Sequence, residues 1–249
     1  MGLSAAILVV TLAAALVDIR TLEGVPVWAK PAKFALSFVI LFATIAWLEA
    51  RLSPRWRDGW LLSATLAVMG ASLVAEMGYL MVQAGQAEAS HYNYSTPYHA
   101  FMYTVVMFVG ALVLVAGIGV YGLAAALDRE ADLAPALRLG VVLGFGLSFG
   151  LTVIVAGYMA GQESRFVGLP SAEAATIPLL GWSAEVGDLR PAHFLSLHAM
   201  QALPLLGWLV DCAQVRSGRI WVAVGAILYT AATLALFAQA LAGRPFIAL

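Results

Sequence analysis

The stretch Asp188-Leu-Arg-Pro-Ala-His-Phe-Leu-Ser-Leu-His-Ala-Met-Gln201 decides how this chain is to be read, because within it a polar loop turns into an apolar helix bearing two of the four histidines. Pro191 suits the first helical position, where its missing N–H leaves no bond unmade. At about 100° per residue, His193 and His198 stand about 140° apart around the helix axis, and Gln201 falls between them. The remaining side chains are mainly Phe, Leu, Ala and Met, so three polar groups share one arc of a helix otherwise suited to lipid. That arc is expected to face protein, a cofactor or water.

The rest of the chain has the same character. Of its 249 residues 62% are hydrophobic and 11% charged, and the mean hydropathy is +0.91, whereas roughly a quarter of the residues in soluble domains are charged. The composition implies a polytopic membrane protein. With a net charge of −1 and no basic run, nucleic acid is not an expected partner; membrane lipid is. Cys212, the single cysteine, can form no internal disulfide and reads as a buried apolar residue. The first apolar segment lacks a preceding basic residue and ends in Val-Asp-Ile-Arg without a small-x-small cleavage site, so it is expected to remain as a first helix.

About 20 apolar residues are needed to cross roughly 30 Å of hydrocarbon. Seven runs meet that need, near residues 3–19, 31–50, 60–84, 97–127, 136–161, 191–212 and 218–242. The expectation is an all-α fold: a seven-transmembrane-helix bundle forming a single membrane domain over 1–249. The long connection over 162–190 is too polar to span and too apolar to be a free linker, and reads as a cap on the membrane face. Gly140, Gly144, Gly146 and Gly150 lie mostly at small-xxx-small spacing, which predicts close helix packing. Lys and Arg counted on alternate sides come to about seven and about six, nearly a tie. The short loops of the first side place the N-terminus inside a bacterial inner (cytoplasmic) membrane and the polar helix ends outside.

The second, fourth and sixth runs open alike, with Pro31-Ala-Lys33, Pro97-Tyr-His99 and Pro191-Ala-His193. If each proline is the first helical residue, Lys33, His99 and His193 sit one turn inside a common face. Glu76 approaches from the same side, about 12 Å below its helix end at 1.5 Å per residue. Asp18, His91, Arg190, His198 and Gln201 do so too. Taken singly, His99 and Lys30 are equally well explained as headgroup anchors. Lys33 is different, because a cation near a helix N-terminus opposes the macrodipole and needs an anion beside it.

This constellation suits a redox centre first. Imidazoles from different helices can ligate one iron axially, so a b-type haem or another metal centre near the outer face is expected, serving electron transfer or oxidoreductase chemistry. His91, His99, His193 and His198 are the candidate ligands. Lys33 and Arg190 would meet an anionic group such as a propionate beside His193 and His198, while Glu76 and Gln201 would orient ligands or shuttle protons as catalytic residues. The five-residue step allows only one of His193 and His198 to be axial. An alternative is a zinc-dependent hydrolase of lipids or amides, with three histidines on zinc and Glu76 as general base; copper is a further candidate metal. Seven-helix hydrolases of the ceramidase and adiponectin-receptor type offer a comparison, from which this chain departs because its last run contains no histidine. A third reading is non-enzymatic binding or transport of an anionic or quinone-like ligand at converging helix N-termini. A retinal protein is excluded, since the last run has no lysine for a Schiff base.

Trp28-Ala-Lys-Pro-Ala-Lys-Phe, Ser90-His-Tyr-Asn, Gly187-Asp-Leu-Arg-Pro-Ala-His-Phe and Leu197-His-Ala-Met-Gln resemble phrases in an uncharacterised group of bacterial multi-pass membrane proteins. The resemblance covers most of the chain, and it implies a fold rather than an activity.

Overall fold

The structure, a computed structural model, describes residues 2–22, 24–171, 173–178 and 180–248; positions 172 and 179 of the expected cap lie outside the described residues. The long helices in chain order are α1 (Gly2–Val17), α2 (Ala29–Glu49), α3 (Trp60–Gln86), α4 (Pro97–Leu127), α5 (Pro135–Gly161), α6 (Arg190–Cys212) and α7 (Gly218–Leu241). Six of them, α2 to α7, are long and apolar enough to cross a membrane, which makes this a multi-pass membrane protein. The expected first span is the exception. At 16 residues α1 is about 24 Å long, short of a hydrocarbon core of about 30 Å.

The three prolines do not share one helical position. Pro97 opens α4, Pro191 is the second residue of α6 and Pro31 the third of α2. All remain in first turns, where a proline removes no intrahelical bond. Within α4 the segment Met102–Met107 is a π-helix, a wider turn that recurs at functional sites.

The chain divides into two compact units, Met1–Gly117 and Ile118–Leu249. In the first, α2 buries Ala35, Phe38, Phe42 and Ile45 and α3 buries Met69, Leu73, Glu76, Leu80 and Ala84, stripes at helical spacing. Two glycines of α4 make room for α3, since a Cβ at Gly117 would collide with the Met69 side chain and one at Gly110 would stand 2.6 Å from the Glu76 carboxylate. Between α1 and α2 a short hairpin pairs β1 (Thr21–Leu22) with β2 (Val25–Pro26). Asp18 fixes this connection by accepting bonds from the Arg20 guanidinium at 2.7 Å and the Trp28 indole at 2.8 Å. These donors hold the Asp18 carboxyl far below the usual aspartate range. Arg20 also donates to the Gly85 carbonyl near the end of α3.

In the second unit α5 and α6 meet backbone to backbone. A Cβ at Gly144 would come within 2.8 Å of the Ala199 carbonyl oxygen and 2.9 Å of Pro204 Cδ, and one at Gly207 within 2.6 Å of the Ala136 carbonyl; Gly140 abuts the Leu203 carbonyl. One turn further, Ser148 donates to the Leu197 carbonyl at 2.6 Å and Thr152 to the Ser196 hydroxyl at 3.1 Å. Positions 140, 144, 148 and 152 thus form one ridge of small residues, the packing mode that lets membrane helices approach closely. Gly146 and Gly150, expected to share in it, face open space. At the other end of the pair, the Asp211 carboxylate near the end of α6 accepts from the Ala136 and Leu137 amides in the first turn of α5, at 3.2 and 2.7 Å. These amides have no intrahelical partner. α7 joins through Tyr229, which donates to the Leu195 carbonyl at 2.8 Å. Cys212 is exposed rather than buried, because the seam turns the other face of α6 inward.

The cap over 162–190 is folded. Strands β3 (Phe166–Val167) and β4 (Gly187–Asp188) pair antiparallel, and Thr176 bridges to Ser183. Gly187 is required there, since it packs directly on the Ala240 carbonyl at the end of α7.

Adding one methyl group separates seam from surface on a single helix. Gly144→Ala is expected to destabilise the protein in detergent by about 1–3 kcal/mol through overpacking, whereas Gly146→Ala stays within about 0.5 kcal/mol of the parent. Chemical denaturation of both variants checks this.

Candidate functional site

The polar residues singled out above fall into two groups, one in each unit. In the first unit His99, in the first turn of α4, has both ring nitrogens engaged. Nδ1 lies 3.2 Å from the Tyr79 hydroxyl and 3.5 Å from Gln83 Nε2, and Nε2 lies 3.2 Å from a Glu88 carboxylate oxygen. Gln83 is itself buried and donates to the Ala89 carbonyl at 3.0 Å. His91 sits among aromatic rings, 5.7 Å from those of Phe34 and Tyr103, with Nδ1 3.3 Å from the Ser90 hydroxyl. Lys33 is exposed near the start of α2. Glu76 lies deeper in α3, ten residues from its end, which is about 15 Å of helix. It is only 4% exposed, and its Oε1 has no hydrogen-bond partner.

In the second unit Asp188, Arg190, His193, His198 and Gln201 follow one another from β4 into α6. The Arg190 guanidinium is held by Asp188 at 2.6 Å and by the Gly181 carbonyl at 2.7 Å. Asp188, whose side chain is fully buried, also accepts from the Ser183 and Arg190 amides at 2.8 and 3.0 Å. Arg190 therefore serves the cap in this structure, where the sequence suggested an anion partner. The arc expected to hold three polar groups is divided. At 100° per residue His193 falls in line with Ser196, Met200, Leu203 and Gly207, which meet α5. Its Nδ1 is buried without a hydrogen-bond partner. His198 points about 140° away, onto a face with the exposed residues Phe194, Leu205, Trp208 and Leu209. There His198 Nδ1 lies 3.1 Å from Gln201 Oε1, and the imidazole centre is 4.2 Å from that of Phe194. Trp182 of the cap packs edge-on against Phe194 at 6.1 Å.

Among the described residues no group of three or more His, Cys, Asp and Glu side chains is placed to hold a metal ion. The fit to a haem depends on fewer groups, one or two imidazoles. Gln201 occupies one ring nitrogen of His198 and leaves Nε2 for a ligand, and the buried Nδ1 of His193 lacks a partner. A surface cavity of about 620 Å³ lies at the far end of the second unit, lined by Arg129, Arg138 and Arg219 among others, away from both histidines of α6.

Two participants went unread in the sequence. Tyr79 stands three residues after Glu76 and four before Gln83, and this polar stripe at helical spacing in an apolar run was a usable signal. Glu88 gave none. It returns to α3 because Ala87 ends the helix in the left-handed conformation, φ 58°, with the Glu88 amide donating to the Gln83 carbonyl at 2.9 Å; a non-glycine residue seldom provides that turn. No family model, no curated protein and no solved structure matches the chain.

Breaking the Asp188–Arg190 pair tests how the mouth of α6 is built. Asp188→Asn leaves a partly buried guanidinium without its counter-charge, and the expected loss is about 3–5 kcal/mol. Faster tryptic cleavage within 162–190, together with a lower thermal midpoint, is the measurement.

Proposed function

We propose that the protein is an oxidoreductase or electron carrier of the bacterial inner membrane in which the open face of α6 receives a redox group, a b-type haem or another metal centre, through His198. In this reading the 16-residue α1 makes a seventh crossing where the bilayer thins around it, the N-terminus is inside, and the amino end of α6 lies toward the outer side. One observation carries the proposal: the 3.1 Å contact between His198 Nδ1 and Gln201 Oε1. An Nδ1–H donated to a carbonyl oxygen fixes the tautomer and directs the Nε2 lone pair outward, the arrangement that metal-ligating histidines adopt. An imidazole inside a membrane span is also costly against lipid tails and calls for a polar or coordinating partner. The residues fit such a group: His198 would ligate, Gln201 would orient the imidazole, and Phe194 would border the group's apolar edge. The group, when bound, supplies the electron-transfer chemistry; the chain holds and orients it.

A second reading has its own support. The Phe194 ring stands 4.2 Å from the imidazole, and Trp182 of the cap packs edge-on against Phe194 at 6.1 Å, an apolar wall with one polar group. It suits a quinone-like ring whose carbonyl takes a hydrogen bond from His198.

Absorption spectroscopy of the purified protein separates these readings. A Soret band that moves on dithionite, is lost in His198→Leu and is weakened roughly 10–100-fold in affinity by Gln201→Leu is the expected result. Colourless protein free of transition metal defeats the redox-centre reading, and quenching of tryptophan fluorescence by added quinone then supports the second. Colourless protein with stoichiometric zinc points to hydrolysis instead.

A further inference from the structure

At the membrane face where α5 and α7 begin, the second unit holds a hollow of about 620 Å³. Its charges come from three separate elements: Arg129 from the loop after α4, Arg138 from the first turn of α5 and Arg219 from the first turn of α7. The loop over 128–134 also carries Asp128, Glu130 and Asp132, yet no acidic side chain lines the hollow. Asp211, at the end of α6, is taken by the Ala136 and Leu137 amides. Among the described residues none of the three arginines forms a salt bridge. Arg138 Nη2 donates to the Ala126 carbonyl at 3.2 Å, which ties its guanidinium to the end of α4. Arg138 and Arg219 also face the positive ends of their own helix dipoles. The fold therefore gathers like charges into one place, and an anion there relieves both the repulsion and the dipoles.

We propose that this hollow is a binding site for the headgroup of an anionic phospholipid. Arg129, Arg138 and Arg219 hold the phosphate, and the glycerol and first acyl carbons lie along Leu139 and Val142 of α5. A guanidinium is suited to this, because its planar N–H groups match a pair of phosphate oxygens.

The walls favour a lipid over a soluble phosphate. Leu133, Leu139 and Val142 supply an apolar lining beside the arginines. Leu139 and Val142 are three residues apart and share one side of α5. Val142 lies about 10 Å along the helix from Pro135, within a segment long and apolar enough to cross the membrane. Charge at the interface and hydrocarbon next to it is the order of groups in a phospholipid. The volume falls in the range of about 300–1,000 Å³ typical of small-molecule sites, and a phosphate ion alone would leave most of it to water. Basic pockets between transmembrane helices are a recurring means of holding anionic headgroups. The inference is independent of the redox reading, since none of its residues belongs to α6 and no electron transfer is involved.

Native mass spectrometry of the full-length protein, titrated with lipid in detergent, tests it. Phosphatidylglycerol is expected to bind at least roughly tenfold more tightly than phosphatidylcholine, and Arg129→Gln, Arg138→Gln and Arg219→Gln each to weaken it roughly fivefold, the scale of one basic residue at an anionic surface. Arg216→Gln removes an equal charge from the loop between α6 and α7, outside the hollow, and leaves the affinity unchanged. Arg129 and Arg219 are exposed, so their variants keep the test open if Arg138→Gln fails to fold. Equal binding of the two lipids overturns the site. A loss in Arg216→Gln as large as in the other three variants does so too, because the attraction is then diffuse surface charge. Inorganic phosphate that binds as tightly as phosphatidylglycerol assigns the hollow to a soluble anion and overturns the lipid.

Discussion

Close approach of two helix backbones in the second unit fixes how α6 is turned about its axis. Gly140, Gly144 and Gly207 bring carbonyl groups of the two helices to distances that no side chain would tolerate, and Ser148 and Thr152 continue the ridge with hydrogen bonds. In lipid there is no hydrophobic force to drive helices together, so dispersion contacts and hydrogen bonds of this kind carry association. The same contacts fix the rotation of α6 about its axis. With Ser196, Met200 and Gly207 turned toward α5, His193 is drawn into the seam and His198 is turned out beside Phe194.

Composition and run length made the multi-pass helical architecture legible, because crossing hydrocarbon imposes length and hydropathy together and each of α2 to α7 meets both. The first run was less so: its apolar character is clear, yet the helix stops at Val17 before reaching full span. Spacing alone could not separate the two kinds of glycine on α5. Gly144 and Gly146 are two residues apart and lie on different sides of the helix, and which side meets a neighbour is settled only by α6. The same limit applies to the histidine pair, whose separation of about 140° follows from helix geometry alone while its meaning depends on the direction of the seam. Glu88 was beyond reach, since its return rests on a left-handed alanine.

Both units place a titratable side chain where lipid alone would not accommodate it, and they meet the cost differently. At His99 the protein supplies partners for both ring nitrogens from α3 and the loop that follows it. At His198 it supplies one, from the same helix. The first ring is fixed by its neighbours on both sides, while the second keeps one nitrogen without a protein partner. Arg190, which in the sequence looked like a recognition residue, belongs to neither class, because Asp188 two residues earlier commits it to the architecture of the cap.

The carboxylate that finishes the amino end of α5 belongs to Asp211, 74 residues downstream of Leu137. During synthesis at about 5–20 residues per second, α5 enters the membrane roughly 4–15 s before that residue is made. For that interval the two amides at its start have only water or headgroups to bond to. Arrival of α6 then closes the bond, so a side chain translated late completes the start of a helix translated early.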